Sequence, residues 1–251
     1  MDPVELSAII FLCIFSGALL GMWLRNVLPE HHLDAETKDV MKLGAGLIGT
    51  MAALLLGLLV ASAKSSYDAT NGELAQMAAN AILLDRMLSH YGPESNEIRV
   101  VLKTAASGIV DRLWSKNTKE AGTLSSQSSP AEVVLAGIQQ LTPANAYQRA
   151  IQAQAESLAL SVGQMRWLFF EQRGSAISVP FLVVVVFWLS VLFVSFGLFA
   201  PHNATAAITL LVSAMAVAGA LFLILELDHP FSGLIQISSE PLRNALSILG
   251  K

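Results

Sequence analysis

Four apolar stretches alternate with polar ones along the chain, and each is long enough to cross a bilayer. The first is Leu6 to Leu28, with Ser7 to Leu24 uncharged and Arg25 near its end. The second, Leu43 to Ala63, reads LGAGLIGTMAALLLGLLVASA and is closed by Lys42 and Lys64. The third is Ile177 to Phe199 and the fourth Thr205 to Leu227. A helix needs ~20 apolar residues to span hydrocarbon, so this pattern predicts four transmembrane helices. The second span is also asymmetric. At ~100° per residue, Gly46, Gly49, Thr50, Ala53, Gly57, Ala61 and Lys64 share one side, while Leu47, Met51, Leu54, Leu55, Leu58 and Leu59 share the other. The bulky side suits lipid. The small side is either a close-packing face or the wall of a pore, because missing side chains admit a neighbouring helix or leave room for water.

Between the second and third spans, apolar residues recur at helical spacing in a polar background. The second helix is expected to continue to about His90 through Leu74, Met77, Ala81, Leu84 and Leu88, and Tyr91-Gly92-Pro93 is a stop followed by a new start. Ile98, Leu102, Ile109 and Leu113 stripe a helix from Glu94 to Lys116, Asn117 to Ser129 reads as a loop, and Pro130 opens a short helix. Thr142-Pro143 has the form of an N-cap with proline in the first turn, opening a long helix to Arg173. Residues 26–41 read as a polar loop. After the fourth span, Pro230 and Gly233 break the helix. Leu234, Ile235 and Ile237 are expected to dock apolar surface against the bundle or a neighbouring subunit, and Ser239-Glu240-Pro241 starts a last amphipathic helix with Leu242, Leu246 and Leu249.

The predicted fold is therefore all-α and polytopic. A first transmembrane hairpin covers 1–63, a soluble helical insert 64–176, a second hairpin 177–228 and an interfacial or docking tail 229–251. Pro180 falls in the first turn of the third span, where it disturbs least. The acidic start Met-Asp-Pro-Val-Glu lacks the positive region of a secretory signal, so the first span is expected to be retained.

Composition fits this reading: 54% of residues are hydrophobic and 14% charged, against roughly 25% charged in soluble domains. The net charge of −4 provides no basic field, so no nucleic-acid partner is expected. The single cysteine, Cys13, excludes an intrachain disulfide. His31, His32, Asp34 and Glu36 lie close together, but adjacent histidines diverge on a helix and no second cluster completes a site, so no metal is expected. No nucleophile elbow, phosphate loop or other catalytic constellation appears, which points away from an enzyme and from any cofactor. No span buries an ionisable residue along its middle, as coupled transporters do.

Two stretches, LLLGLLVASAKSSYD (Leu54 to Asp68) and LDHPFSGLIQISSEPL (Leu227 to Leu242), resemble the bestrophin-like domain family of four-span membrane proteins. The tail motif comprises Asp228, Pro230, Phe231, Ser232, Gly233, Glu240 and Pro241. The resemblance implies two spans, a helical insert, two further spans and this tail, and a distant likeness to bestrophins, which are homopentameric chloride channels. Pro230 and Phe231 match the Pro-Phe-Gly of bestrophins, but Ser232 intervenes and the acidic calcium-binding run is missing, so calcium gating does not carry over.

The function expected is a homo-oligomeric membrane ion channel whose partners are itself, the bilayer and inorganic ions. The alternative is a membrane-anchored scaffold or signalling module whose insert binds a protein. Four acidic residues between the first two spans, Glu30, Asp34, Glu36 and Asp39, would ring a channel mouth and favour monovalent cations over chloride. Glu226 and Asp228 would sit at the opposite mouth, facing Lys64. Cations near the span ends place the insert and both termini in the cytoplasm, at a plasma or inner membrane.

Overall fold

The computed structural model describes residues 3–29, 34–114, 130–171, 179–201 and 203–251. They form eight α-helices: α1 (Pro3–Val27), α2 (Ala35–Tyr91), α3 (Asn96–Trp114), α4 (Pro130–Gln140), α5 (Ala146–Glu171), α6 (Val179–Phe199), α7 (Ala204–Leu227) and α8 (Glu240–Ile248). A single 3-10 turn, Pro93–Ser95, joins α2 to α3, and no strand occurs among the described residues. Helices α1, α2, α6 and α7 each have the length and hydropathy of a membrane span.

The boundaries differ from expectation in two places, both because a polar side chain caps earlier or later than the hydrophobic pattern suggests. Residues 35–41 are helical rather than loop. Asp34 starts α2 by accepting the Thr37 N–H at 2.8 Å, with Glu36 in the first turn where the helix dipole favours it. Helix α5 begins after Thr142-Pro143, because Asn145 accepts the Gln148 N–H at 2.8 Å and the Gln148 side chain accepts the Ala144 N–H at 2.8 Å. That reciprocal pair satisfies orphan donors at α5's start which Pro143 does not reach.

The chain divides into two compact units, 1–67 with 175–235 and 68–174 with 236–251. In the first, Ile10, Ile14, Ala52, Leu59, Val185, Leu189, Ala214 and Leu221 form one buried cluster drawn from all four spans. Helix α1 is its centre, packed on both α6 and α7, while α6 and α7 touch each other little despite their four-residue connection. The close crossing is α1 on α6. A Cβ at Gly21 would overlap the Val194 carbonyl oxygen, and one at Gly197 the Ala18 carbonyl oxygen. Gly17 meets the Ser190 carbonyl oxygen at 3.0 Å in the same way. At the end of this crossing the Arg25 guanidinium donates to the Ala200 carbonyl.

The second unit buries Leu84, Leu88, Ile98, Leu102, Val134, Ile138, Ala155 and Leu249. Helix α8 belongs to this unit through Leu242, Ala245 and Leu249, all at most 1% exposed. The Trp114 indole N–H donates to the Ile237 carbonyl at 2.9 Å, fixing the segment that leads into α8. Ile237 is buried as the apolar pattern suggests, whereas Leu234 is 81% exposed and packs on nothing within its own chain, its backbone N–H being held by Glu226.

Candidate functional site

The small-residue side of the second span looks away from the chain's own helices. Helix α2 contributes Ala52, Leu59 and Ala63 to the first-unit core, with Ala45, Ile48, Leu55 and Leu56 partly buried beside them. That is a third face, and it takes Leu55 and Leu59 from the bulky side: Leu59 is buried in the chain's own core and Leu55 packs beside it, so neither is free to face lipid as the helical wheel suggests. Gly46, Thr50, Ala53, Gly57, Ala61 and Lys64 remain exposed, as do Leu47, Leu54 and Leu58 on the bulky side. A Cβ at Gly46 or Gly57 would meet nothing within 4 Å, and one at Gly49 would meet only Leu192 Cδ1 at 3.9 Å. So the small face is not the packing surface of a four-helix bundle within one chain. That role falls to Gly17, Gly21 and Gly197. The chain buries only 11% of the most apolar window of α2, against 28–33% in the other three spans. Beside the stripe, a groove of about 550 Å³ runs between α2 and α6, lined by Lys38, Met41, Gly46, Gly49, Phe196 and Phe199.

The charged positions fall into several settings. Glu30, His31 and His32 lie outside the described residues. Asp34 caps α2, Glu36 is exposed, and Asp39 pairs with Lys42 at 2.9 Å with both side chains exposed. Lys64 lies over the Tyr67 ring at 5.3 Å, one turn on along its own helix, and Lys38 lies over Phe199 at 5.9 Å. Among the described residues no group of three or more His, Cys, Asp or Glu could hold a metal ion.

Glu226 is not a mouth charge. It is 1% exposed, and its carboxylate accepts the Leu234 N–H at 2.6 Å and the Ile235 N–H at 3.3 Å. The turn Pro230-Phe231-Ser232-Gly233 makes this possible. Gly233 has φ 88°, a left-handed conformation that L side chains resist. Any Cβ there would also press into the Glu226 carboxylate, with Cδ and Oε1 at 2.8 Å. The glutamate and the Pro-Phe-Ser-Gly turn are therefore one feature: a carboxylate at the end of α7 clasped by main-chain donors.

A second clasp lies in the other unit. Asp85, 1% exposed, accepts Arg99 Nε at 2.8 Å and Nη2 at 3.0 Å. It also receives the Gly250 N–H at 3.3 Å on both oxygens, and Gly250 again has positive φ, 79°. The hydrogen bond to Asp85 pushes the Arg99 guanidinium above its ordinary range, against burial, which opposes it. Tyr91 closes α2 nearby in sequence. Its hydroxyl is buried without a hydrogen-bond partner among the described residues, and burial, with Glu94 adding, raises its pKa. Sequence reasoning placed Glu226 at a channel mouth rather than in a clasp and did not single out Asp85. A lone glutamate before Pro-Phe-Ser-Gly and an acid and arginine 14 positions apart have no periodic signature.

Four apolar crossings in an otherwise helical chain define a polytopic α-helical membrane protein. Within that class the chain belongs to the bestrophin-like family: the bestrophin-like domain matches residues 12–242, nearly its whole length. No curated protein and no solved structure matches it.

Proposed function

We propose that this protein is a homo-oligomeric ion channel in which the small face of α2 meets neighbouring subunits and borders the conduction path. The observation that carries the reading is that this face is uncovered by the chain's own helices, in a span that the chain buries least. Against lipid such a face forfeits dispersion contacts, and a neighbouring helix restores them. Membership of the bestrophin-like family supports a channel.

Within this reading the pore favours monovalent cations. Repeated around a closed ring, Glu30, Asp34, Glu36 and Asp39 raise cation concentration at one mouth, an effect screened over ~8–10 Å. Asp39 contributes least because Lys42 faces it. The other mouth loses Glu226 to the clasp, so selectivity rests on this ring. The insert and both termini lie in the cytoplasm, and cysteines placed at Ser126 and His202 label from opposite sides of the membrane.

The test is the reversal potential of the reconstituted protein under a potassium chloride gradient. Reversal near the potassium equilibrium potential, with current reduced at low salt when the four acids are neutralised together, is expected. Reversal near the chloride potential refutes the cation reading. Absence of current under every condition tried, with only monomer in native mass spectrometry, refutes the channel and favours the scaffold.

A further inference from the structure

The second unit contains a cavity of about 450 Å³ among α2, α3, α4, α5 and α8. Its walls are almost wholly apolar, with Met77, Ala105, Ile109, Val134 and Leu242 among them. Small-molecule pockets occupy ~300–1,000 Å³ and pair an apolar lining with a few polar groups that fix orientation. Here Arg112 is the one charged residue among the described residues that line the cavity. It lies one turn beyond Gly108 and Ile109 on the same side of α3, is exposed, and has no hydrogen-bond or ionic partner among the described residues.

We propose that this cavity binds a single-chain amphiphile of the fatty-acid class, with its acyl chain among these helices and its carboxylate on Arg112. The size fits. At ~30 Å³ per small group the volume holds roughly 12–16 carbons. The chemistry excludes the main competitors. A sugar or nucleotide would need several buried donors, and the lining offers the Thr104 hydroxyl and Arg112 as its polar side chains. The chain's own segment 115–129, SKNTKEAGTLSSQSS, carries one large apolar side chain, Leu124, too little to fill such a volume. A bidentate arginine–carboxylate pair is the strong, directional contact that an apolar cavity with one cationic lining residue selects. The inference does not depend on the channel reading.

The test uses the full chain in nanodiscs with a diazirine-bearing palmitate, followed by peptide mapping. Labelling of the α3 peptide is expected, with myristate competing roughly tenfold better than its methyl ester. Gly108→Phe fills the cavity, since a Cβ there meets nothing within 4 Å, and abolishes the α3 label. Arg112→Ala makes acid and ester compete equally. Where Gly108→Phe fails to fold, Ala105→Leu is read in its place. Labelling confined to the spans, α3 labelling unchanged by the cavity-filling variant, or equal competition by acid and ester in the wild type overturns the proposal.

Discussion

Substituting Gly233 by alanine tests whether the Pro-Phe-Ser-Gly turn exists to clasp Glu226. Two costs add. A non-glycine residue at φ 88° costs ~1–2 kcal/mol. The new Cβ also displaces the carboxylate, whose bond from the Leu234 N–H at 2.6 Å is a charge-assisted contact worth ~1.5–3 kcal/mol. The Ile235 bond, at 3.3 Å, is weak enough to leave out. The sum is about 2.5–5 kcal/mol, which for a chain of this size lowers the melting temperature by roughly 5–20 °C. Gly233→Asn separates the terms, because asparagine tolerates the left-handed backbone but keeps the colliding Cβ. Its loss is intermediate. Glu226→Gln keeps the shape and one acceptor and loses about 1–2 kcal/mol. Ser232→Ala, at an exposed position, stays within ~0.5 kcal/mol. The assay is thermal unfolding in mild detergent, followed by tail accessibility to carboxypeptidase. A Gly233→Ala melt within ~2 °C of wild type, or a larger effect from Ser232→Ala, would show that the turn and the carboxylate are not coupled.

Three further outcomes follow from the remaining contacts. Asp85→Leu strands the half-buried Arg99 and destabilises the second unit by about 3–5 kcal/mol, and adding Arg99→Met recovers most of that; equal denaturation midpoints for the single and double variants would contradict it. Tyr91 has a raised folded pKa, so its burial stabilises fully below the unfolded value of ~10 and that contribution fades as pH rises through the folded one; Tyr91→Phe removes this alkaline loss and, by deleting an unpartnered buried hydroxyl, gains about 1 kcal/mol at pH 7 in the same melts. Gly21→Leu collides with the Val194 carbonyl and lowers the melt of the chain itself, whereas Gly57→Leu meets open space and instead shifts the oligomer distribution in native mass spectrometry; the reverse pattern would place the stripe inside the subunit.

Most of the fold was legible because it follows from runs and periods. Four uncharged stretches become α1, α2, α6 and α7, and the stripe of Ile98, Leu102 and Leu113 becomes the buried face of α3. Errors fell where one side chain decides. Asp34 starts α2 before any apolar residue announces it, and Asn145 with Gln148 overrides the cap suggested by Thr142-Pro143. Glycine spacing marked the α2 stripe, but spacing alone does not say what covers a bare face. The structure assigns the close crossing to α1 and α6 and leaves α2 open. The clasps were illegible for another reason. Glu226 reads as a charge at a span end until the backbone of Leu234 and Ile235 is folded back on it.

The three faces of α2 constrain any assembly. Ala45, Ala52, Leu59 and Ala63 are committed to the chain's own core. Leu47, Leu54 and Leu58 expose large side chains, 61–76% exposed, which lipid covers as well as protein does. The small face differs, since Gly46, Ala53 and Gly57 offer an acyl chain little to pack against but let a helix backbone approach closely. In a closed ring each α2 turns its first face to its own subunit and its second outward to lipid. At ~100° per residue the third face lies between those two on the far side, directed toward a neighbour or the axis. The groove beside it, ending at Lys38 and Phe199, then opens at the subunit boundary, near the carboxylates of Asp34 and Glu36. A neighbour that inserts there buries Gly46 and Gly49 while leaving Gly57 and Ala61 nearer the axis. Crosslinking through single cysteines therefore separates the two uses of one stripe: Gly46→Cys pairs across subunits, and Ala61→Cys reacts with a permeant thiol reagent. Reagent access at Gly46 together with subunit crosslinks at Ala61 would invert this order and place the constriction at the Lys38 end.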